Sequence, residues 1–213
     1  MTKAIIFDMD GTLFQTEMVL EHALEAVFSD LRSEGKWEGA APVETYKEIM
    51  GVPLPVVWDT LLPKETDKVK EEMNERFQTY LISSIQEGKG ALYPHVLETL
   101  ADLKEEGYTL LVASNGLPDY LKAIVETYHL DHYISDVFSI ARVASGDKGE
   151  LVEKACNSYG VTKGMGVGDR LSDFKAAHRN RLKAIGCRFD FSKEEELKEA
   201  DIIIDDLQEL MNI

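Results

Sequence analysis

Residues 5–14 read IIFDMDGTLF: three apolar side chains run into Asp8 and Asp10, and Gly11 then breaks the run. In extended chain, residues two apart project to the same side, so a strand running Lys3–Phe7 ends by pushing two carboxylates together. That costs free energy unless a cation sits between them. Five more short apolar runs follow: Tyr108–Ala113 (YTLLVA), Val137–Ile140 (VFSI), Met165–Val167 (MGV), Leu182–Cys187 (LKAIGC) and Ile202–Ile204 (III). Most are separated by helical periodicity. Near-continuous apolar strands alternating with helices predict a parallel sheet covered on both faces, an α/β, three-layer, Rossmann-like fold.

The helices are readable one by one. Val96–Glu106 spaces its apolar residues at three and four and stops at Gly107; Pro118–Tyr128 and Lys148–Tyr159 do the same, the latter closing on Gly160. After the first strand, however, no second strand pattern appears until Tyr108. The intervening chain carries helical patterns at Met18–Leu31, Val43–Met50, Pro55–Leu62 and Lys64–Ile85, with breakers at residues 35–39 and 51–53. This predicts a small α-helical domain, residues 15–86, inserted into a core formed by 1–14 and 87–213.

The 213 residues, 44% hydrophobic, can supply a real core. A formal charge of −16 argues against nucleic acid and anionic membrane as partners, since both need a basic surface. Cys156 and Cys187 form no CxxC pair and read as two small buried thiols. No apolar run approaches the roughly 20 residues that span a bilayer, and the chain enters its first strand without a basic-then-apolar leader. The expectation is a cytoplasmic protein, monomeric by default, acting on a small molecule.

In a parallel α/β sheet, ligands bind beyond the carboxyl ends of the strands. The residues there are Asp8, Asp10, Gly11 and Thr12 after the first strand; Ser114, Asn115 and Gly116 after the second; Lys148 near the start of the helix after the third; and Gly168, Asp169 and Asp173 after the fourth. Carboxylates, a hydroxyl, a lysine and glycines suit a divalent cation and a phosphate held together. Mg²⁺ favours a few carboxylate oxygens, with water and substrate phosphate completing its shell. Asp8, Asp10 and Asp169 are the candidate ligands, with Asp173 one turn later placed to orient Asp169 or a metal-bound water.

Each piece alone has a plainer reading. Asp8–Gly11 alone reads as a turn or a calcium loop, but an EF-hand needs Asp or Asn at its fifth position and Glu at its twelfth, where Thr12 and Val19 stand. Ser114-Asn115-Gly116 reads as a strand-to-helix turn, Lys148 as a surface lysine, and Gly168-Asp169 as a turn with a helix cap. Gly164, Gly166 and Gly168 are spaced GxGxG, which is not a dinucleotide fingerprint.

Taken in order, each at its strand end, the pieces resemble the haloacid dehalogenase superfamily over essentially the whole chain. Its DxDGT motif is matched by Asp8-Met9-Asp10-Gly11-Thr12, its strand-closing hydroxyl by Ser114, its lysine by Lys148 and its GDxxxD motif by Gly168-Asp169-Arg170-Leu171-Ser172-Asp173. The inserted helices look like the cap many members carry. The resemblance implies that Asp8 is a nucleophile forming an aspartyl-phosphate and Asp10 the general acid and base. It also implies Mg²⁺ held by Asp8, the Asp10 backbone carbonyl and Asp169, with Ser114, Asn115 and Gly116 around the phosphate and Lys148 neutralising charge. Dehalogenating relatives lack the second aspartate, so Asp10 favours phosphoryl transfer.

The implied activity is a Mg²⁺-dependent phosphatase of small phosphorylated metabolites, similar to phosphoglycolate phosphatases and β-phosphoglucomutase-like proteins. A phosphoryl mutase is the enzyme alternative, although Leu20 stands where such mutases place a histidine and His22 lies two further on. A binding protein that has lost turnover is the third reading, and no motif aspartate or lysine is missing to support it. Two departures from the pattern are Gln15, where many relatives have Asp, and Gly149, where they often have Pro. Tyr46–Pro53 resembles the family's cap loop and makes Lys47 the candidate for a second anionic contact, against the plainer reading of a surface lysine. Trp37 and Trp58 read as packing residues, and His129 and His132 as surface residues without a third ligand.

Overall fold

The computed structural model describes residues 2–49 and 54–213. Six parallel strands form one sheet: β1 (Thr2–Phe7), β2 (Thr109–Ser114), β3 (Asp136–Ser139), β4 (Val161–Gly168), β5 (Lys183–Cys187) and β6 (Ile202–Ile204), in the order β3-β2-β1-β4-β5-β6. The chain leaves β1 towards β2 and β3 on one side, then returns to lay β4 on the other. The sheet therefore changes direction beside β1, and a parallel sheet opens a crevice at such a point, beyond its strand ends.

Successive side chains of a strand alternate faces. Ile6 of β1, Leu111 and Ala113 of β2, Phe138 of β3 and Ala184 of β5 share a buried cluster with Leu151, Val152 and Ala155 of α7 (Lys148–Tyr159) and Phe174 and Ala177 of α8 (Leu171–Arg179). Ile5, Phe7, Leu110 and Val112, equally buried, point to the other face. Helices α5 (Val96–Glu105) and α6 (Pro118–Thr127) precede β2 and β3. The Asp147 side chain caps α7 by accepting the Glu150 N–H at 2.8 Å, and Gly160, at φ 60°, ends it.

The strand that begins directly after Gly160 is longer than its apolar run. β4 starts at Val161, whereas the sequence shows only Met165–Val167 as apolar; Thr162 and Lys163 are exposed and hide the first half from a hydrophobicity reading. Its register is fixed by β1, from Lys3 opposite Lys163 to Phe7 opposite Val167. The alternating glycines of β4 serve packing: a Cβ at Gly164 would lie 1.9 Å from the Ala4 carbonyl oxygen, and one at Gly166 2.7 Å from Ala177 Cβ.

The chain divides into two compact units, one running up to Gln15 and again over Ala91–Ile213, the other Thr16–Gly90. Gln15 belongs with the sheet because its backbone N–H donates to the Ala91 carbonyl (2.9 Å) and its side-chain amide to the Leu92 carbonyl (2.7 Å), the second a donor that an aspartate there would lack.

The second unit is helical: α1 (Glu17–Ser33), α2 (Val43–Glu48), α3 (Leu54–Leu61) and α4 (Asp67–Gln86). Val19, Leu20, Ala23, Leu24, Val27, Phe28 and Leu31 form the buried stripe of α1, and Met73, Phe77, Leu81 and Ile85 that of α4. The α4 pattern suggested a start at Lys64. The helix begins at Asp67 because Thr66 is extended and its hydroxyl accepts the Val69 N–H. Met50, at the end of the second helical pattern, and residues 51–53 of the expected cap loop lie outside the described residues. Both tryptophans pack: Trp58 is buried edge-on to Phe77 with its indole N–H on Asn74 Oδ1, and Trp37 stands edge-on to Phe28.

Cys187 is buried as expected, but Cys156 on α7 is only half-buried. Among the described residues no helix is long and apolar enough to cross a membrane.

Candidate active site

Asp8 follows β1 directly and stays in line with the sheet, its N–H donating to the Val167 carbonyl of β4 at 2.8 Å. The chain then folds back on itself. The Met9 carbonyl accepts the N–H groups of Leu13 and Phe14, and Gly11 N–H donates to the Phe14 carbonyl. Gly11 is required twice: its φ of +73° lies in the left-handed region, and a Cβ there would stand 2.6 Å from Asp169 Oδ2.

That tight approach brings two strand ends together. Asp8, Asp169 and Asp173 are all buried, and one oxygen of each lies within 4.8 Å of the others. Lys148, the first residue of α7, reaches Asp8 Oδ1 at 2.9 Å and also pairs with Asp173 Oδ1. Asp173 accepts the Arg170 N–H at 3.0 Å through its other oxygen, closing the first turn of α8, and the Thr12 hydroxyl donates to Asp169 Oδ1.

Three buried carboxylates thus face one ammonium. Ionised together they would carry a surplus of two negative charges, which is expensive away from water. Burial and like charge therefore favour the neutral carboxyls. Burial pushes the Asp8 carboxyl up to about 7 against the opposing pull of Lys148, with Asp173 and Asp10 adding to the rise. Burial, then Asp173 and Asp8, push Asp169 well above the usual carboxylate range. Burial works against the Lys148 ammonium, but Asp173 and Asp8 outweigh it and hold the lysine charged.

Among the described residues, Asp8 Oδ1 and Asp173 Oδ1 are buried without a well-aligned hydrogen bond, and both face the Lys148 ammonium. A buried, oxygen-only, over-charged set of this kind fits a hard divalent cation.

Other expected residues stand as follows. Ser114 closes β2, buried, its Oγ accepting the Gly116 N–H at 3.0 Å; the Gly116 carbonyl accepts from Ser139 Oγ at 2.6 Å. Asn115 is exposed at the tip of that loop. The Asp10 carboxylate lies outside the three-carboxylate group, half-buried, and accepts a hydrogen bond from the Tyr120 hydroxyl. Lys47 belongs to the helical unit, where its ammonium sits 2.5 Å from Glu17 and 2.6 Å from Glu21.

Two partners were invisible in the sequence pattern. Glu196 of α9 (Glu194–Leu197) accepts both the Arg170 guanidinium and the Leu171 N–H, pinning the loop that carries Asp169. Tyr120 sits on the apolar spacing of α6 and reads there as core.

The loop geometry also makes a stability statement. A Cβ at Gly168 would lie 2.3 Å from the Asp173 carboxyl carbon. Gly168→Ala should therefore unseat Asp173 and cost about 1–3 kcal/mol, read as a shifted midpoint in urea unfolding; an unchanged midpoint would show that Asp173 is not held as described.

Residues 2–180 match the model of the haloacid dehalogenase-like hydrolases. The chain is 28% identical over 222 residues to a probable phosphatase, IndB, of Dickeya dadantii, covering 99% of this chain and 93% of that protein. It is 27% identical over 224 residues to a phosphoglycolate phosphatase of Haemophilus influenzae, covering 99% and 97%. The crystal structure of a predicted phosphoglycolate phosphatase from Haemophilus somnus has the same fold, with a TM-score of 0.84 at 22% identity over 99% of this chain and 97% of that one. With the family model spanning the sheet from β1 through α8, this chain belongs to the haloacid dehalogenase-like hydrolases.

Proposed function

We propose that the protein is a Mg²⁺-dependent phosphatase of small phosphate monoesters. The observation that carries this reading is the buried group of Asp8, Asp169 and Asp173 around the single ammonium of Lys148, at the point where the sheet changes direction. Asp8, Asp169 and the Asp10 backbone carbonyl would hold Mg²⁺, which supplies charge neutralisation for the phosphate and for the oxygens entering and leaving phosphorus.

The chain's own groups then divide the work. Asp8 attacks phosphorus, forming an Asp8 Oδ–P bond as the bond to the leaving oxygen breaks, while Asp10 gives that oxygen a proton. In the second step Asp10, now a carboxylate, takes a proton from water; the water oxygen bonds to phosphorus and Asp8 departs. Ser114 Oγ already accepts the Gly116 N–H, which leaves its own proton to donate to a phosphate oxygen. Lys148 keeps its charge throughout and balances Asp8 and the phosphate.

Substrate choice is assigned to the helical unit, which this reading takes as a cap. To meet an anionic substrate there, the Lys47 ammonium has to leave Glu17 and Glu21. The relatives' names support a small phosphorylated acid such as phosphoglycolate. Leu20 is buried in the helical core and His22 Nδ1 bonds the Met18 carbonyl, which gives a mutase reading no support. The two free cysteines suit a reducing, cytoplasmic setting.

The direct test is phosphate release from a panel of sugar phosphates, nucleotides, phosphoglycolate, pyridoxal phosphate and pyrophosphate, with Mg²⁺ or EDTA. Release is expected only with Mg²⁺, and metal-independent release would overturn the reading. Metal binding should also depend on pH. The folded protein keeps the Asp8 proton up to about pH 7, whereas an ordinary Asp, at 3.8, has lost it. Metal-free stability therefore falls as pH rises from about 4 through 7, and Mg²⁺ must displace that proton to bind. The rise in Tm on adding Mg²⁺ should be clearly larger at pH 8 than at pH 5.5; equal shifts would place the metal elsewhere.

A further inference from the structure

Tyr120 is the third residue of α6 and only 5% exposed, a position where a phenylalanine would pack as well. Its hydroxyl nevertheless finds a partner on another strand end, donating to Asp10 Oδ1 at 2.5 Å. The ring is seated from below by the loop after β2. A Cβ at Gly116 would lie 3.0 Å from Tyr120 Cδ1 and 2.8 Å from Leu121 Cδ2, so only glycine lets the ring come this close. That loop is itself tied at both polar atoms of Gly116, to Ser114 and to Ser139. The hydroxyl is thus delivered to Asp10 by a ring whose seat is fixed.

An aspartate carboxyl turns about two single bonds, and each must be ordered before it can deliver a proton. A donor on Oδ1 removes much of that freedom. We propose that Tyr120 is a positioning residue for Asp10, holding Oδ1 so that the carboxyl is ordered to hand a proton to the leaving oxygen and later to take one from water. This deepens, and rests on, the reading of Asp10 as the proton carrier of a phosphatase.

Leaving groups separate this role from simple packing. The ratio kcat/KM covers the steps up to departure of the alcohol. An alkoxide needs a proton at that moment, whereas p-nitrophenolate leaves without one. With Mg²⁺-loaded enzyme, Tyr120→Phe, which keeps the ring, should lower kcat/KM roughly 10- to 100-fold for the alkyl phosphate best turned over in the panel. For p-nitrophenyl phosphate it should fall by less than about threefold, which also shows that the variant is folded. In an Asp10→Asn background, Tyr120→Phe should cost almost nothing more on the alkyl substrate.

Equal losses on both substrates, no loss on either, or an undiminished effect in the Asp10→Asn background would overturn the assignment while leaving the phosphatase standing. Wild-type turnover that survives Asp8→Asn would overturn both.

Discussion

Asp8→Asn is expected to lower Mg²⁺-dependent phosphate release by about 10³-fold or more while making the metal-free protein harder to unfold at pH 8. On the proposed mechanism the loss of activity follows from the nucleophile: an amide oxygen does not attack phosphorus. The gain in stability follows from the burial that pushes Asp8 up to about 7. Below pH 4, Asp8 is neutral in both folded and unfolded chains, and asparagine, its neutral isostere, should match it.

Between pH 4 and 7 the unfolded wild type gives up a proton that the folded protein retains, so the wild type loses stability that the variant keeps. Above pH 7 the gap is constant. Thermal melts of both proteins in EDTA across this range would show the curves diverging with rising pH. Parallel curves would mean that Asp8 is not buried against its like-charged neighbours.

Lys148→Ala acts in the opposite direction. Asp8 and Asp173 would lose the one cation that reaches both of them, and breaking a buried pair by removing one partner costs about 3–5 kcal/mol. Because the folded-state pKa of Lys148 is raised, its contribution is fully present below the ordinary lysine value of 10.5 and is lost only at higher pH. Chemical denaturation at pH 7 should therefore reveal the whole loss, and turnover should fall with it. Saturating Mg²⁺ should recover part of the stability and little of the activity, since the metal replaces part of the charge but not the lysine's balance of Asp8 and phosphate together. A variant as stable as wild type would show the ion pairs to be exposed.

The contrast between these variants marks what was legible in the sequence. Strands buried on both faces announce themselves as apolar runs, which is why β1, β2, β5 and β6 are found within a residue or so of their apolar stretches. β4 is half hidden because Thr162 and Lys163 are exposed at its start. Asp8, Lys148, Asp169 and Asp173 share no local pattern, yet each follows a strand or opens a helix, and the sheet brings them together.

What could not be read was partnership across elements. Tyr120 obeys the apolar spacing of α6, and nothing in that spacing says that its hydroxyl meets Asp10. Glu196 lies among Glu194 and Glu195 in a run that reads as solvated surface, yet it holds Arg170. Lys47 looked available from its motif, but only the fold of the helical unit sets it between Glu17 and Glu21.

The central place of β1 in the sheet has a consequence for how the molecule forms. Ile5 pairs with Leu110 on one side and Met165 on the other, so the earliest strand waits for partners encoded far downstream. Such pairings must close long loops before any contact repays them, which slows folding. The helical unit lies entirely within the interval, and its α1 and α4 are far nearer in sequence than β1 and β4. During synthesis the insertion should acquire protection from hydrogen exchange first, with β1 unpaired until β2 emerges and paired along one edge alone until β4 follows. An apolar strand exposed for that long is a natural client for a chaperone.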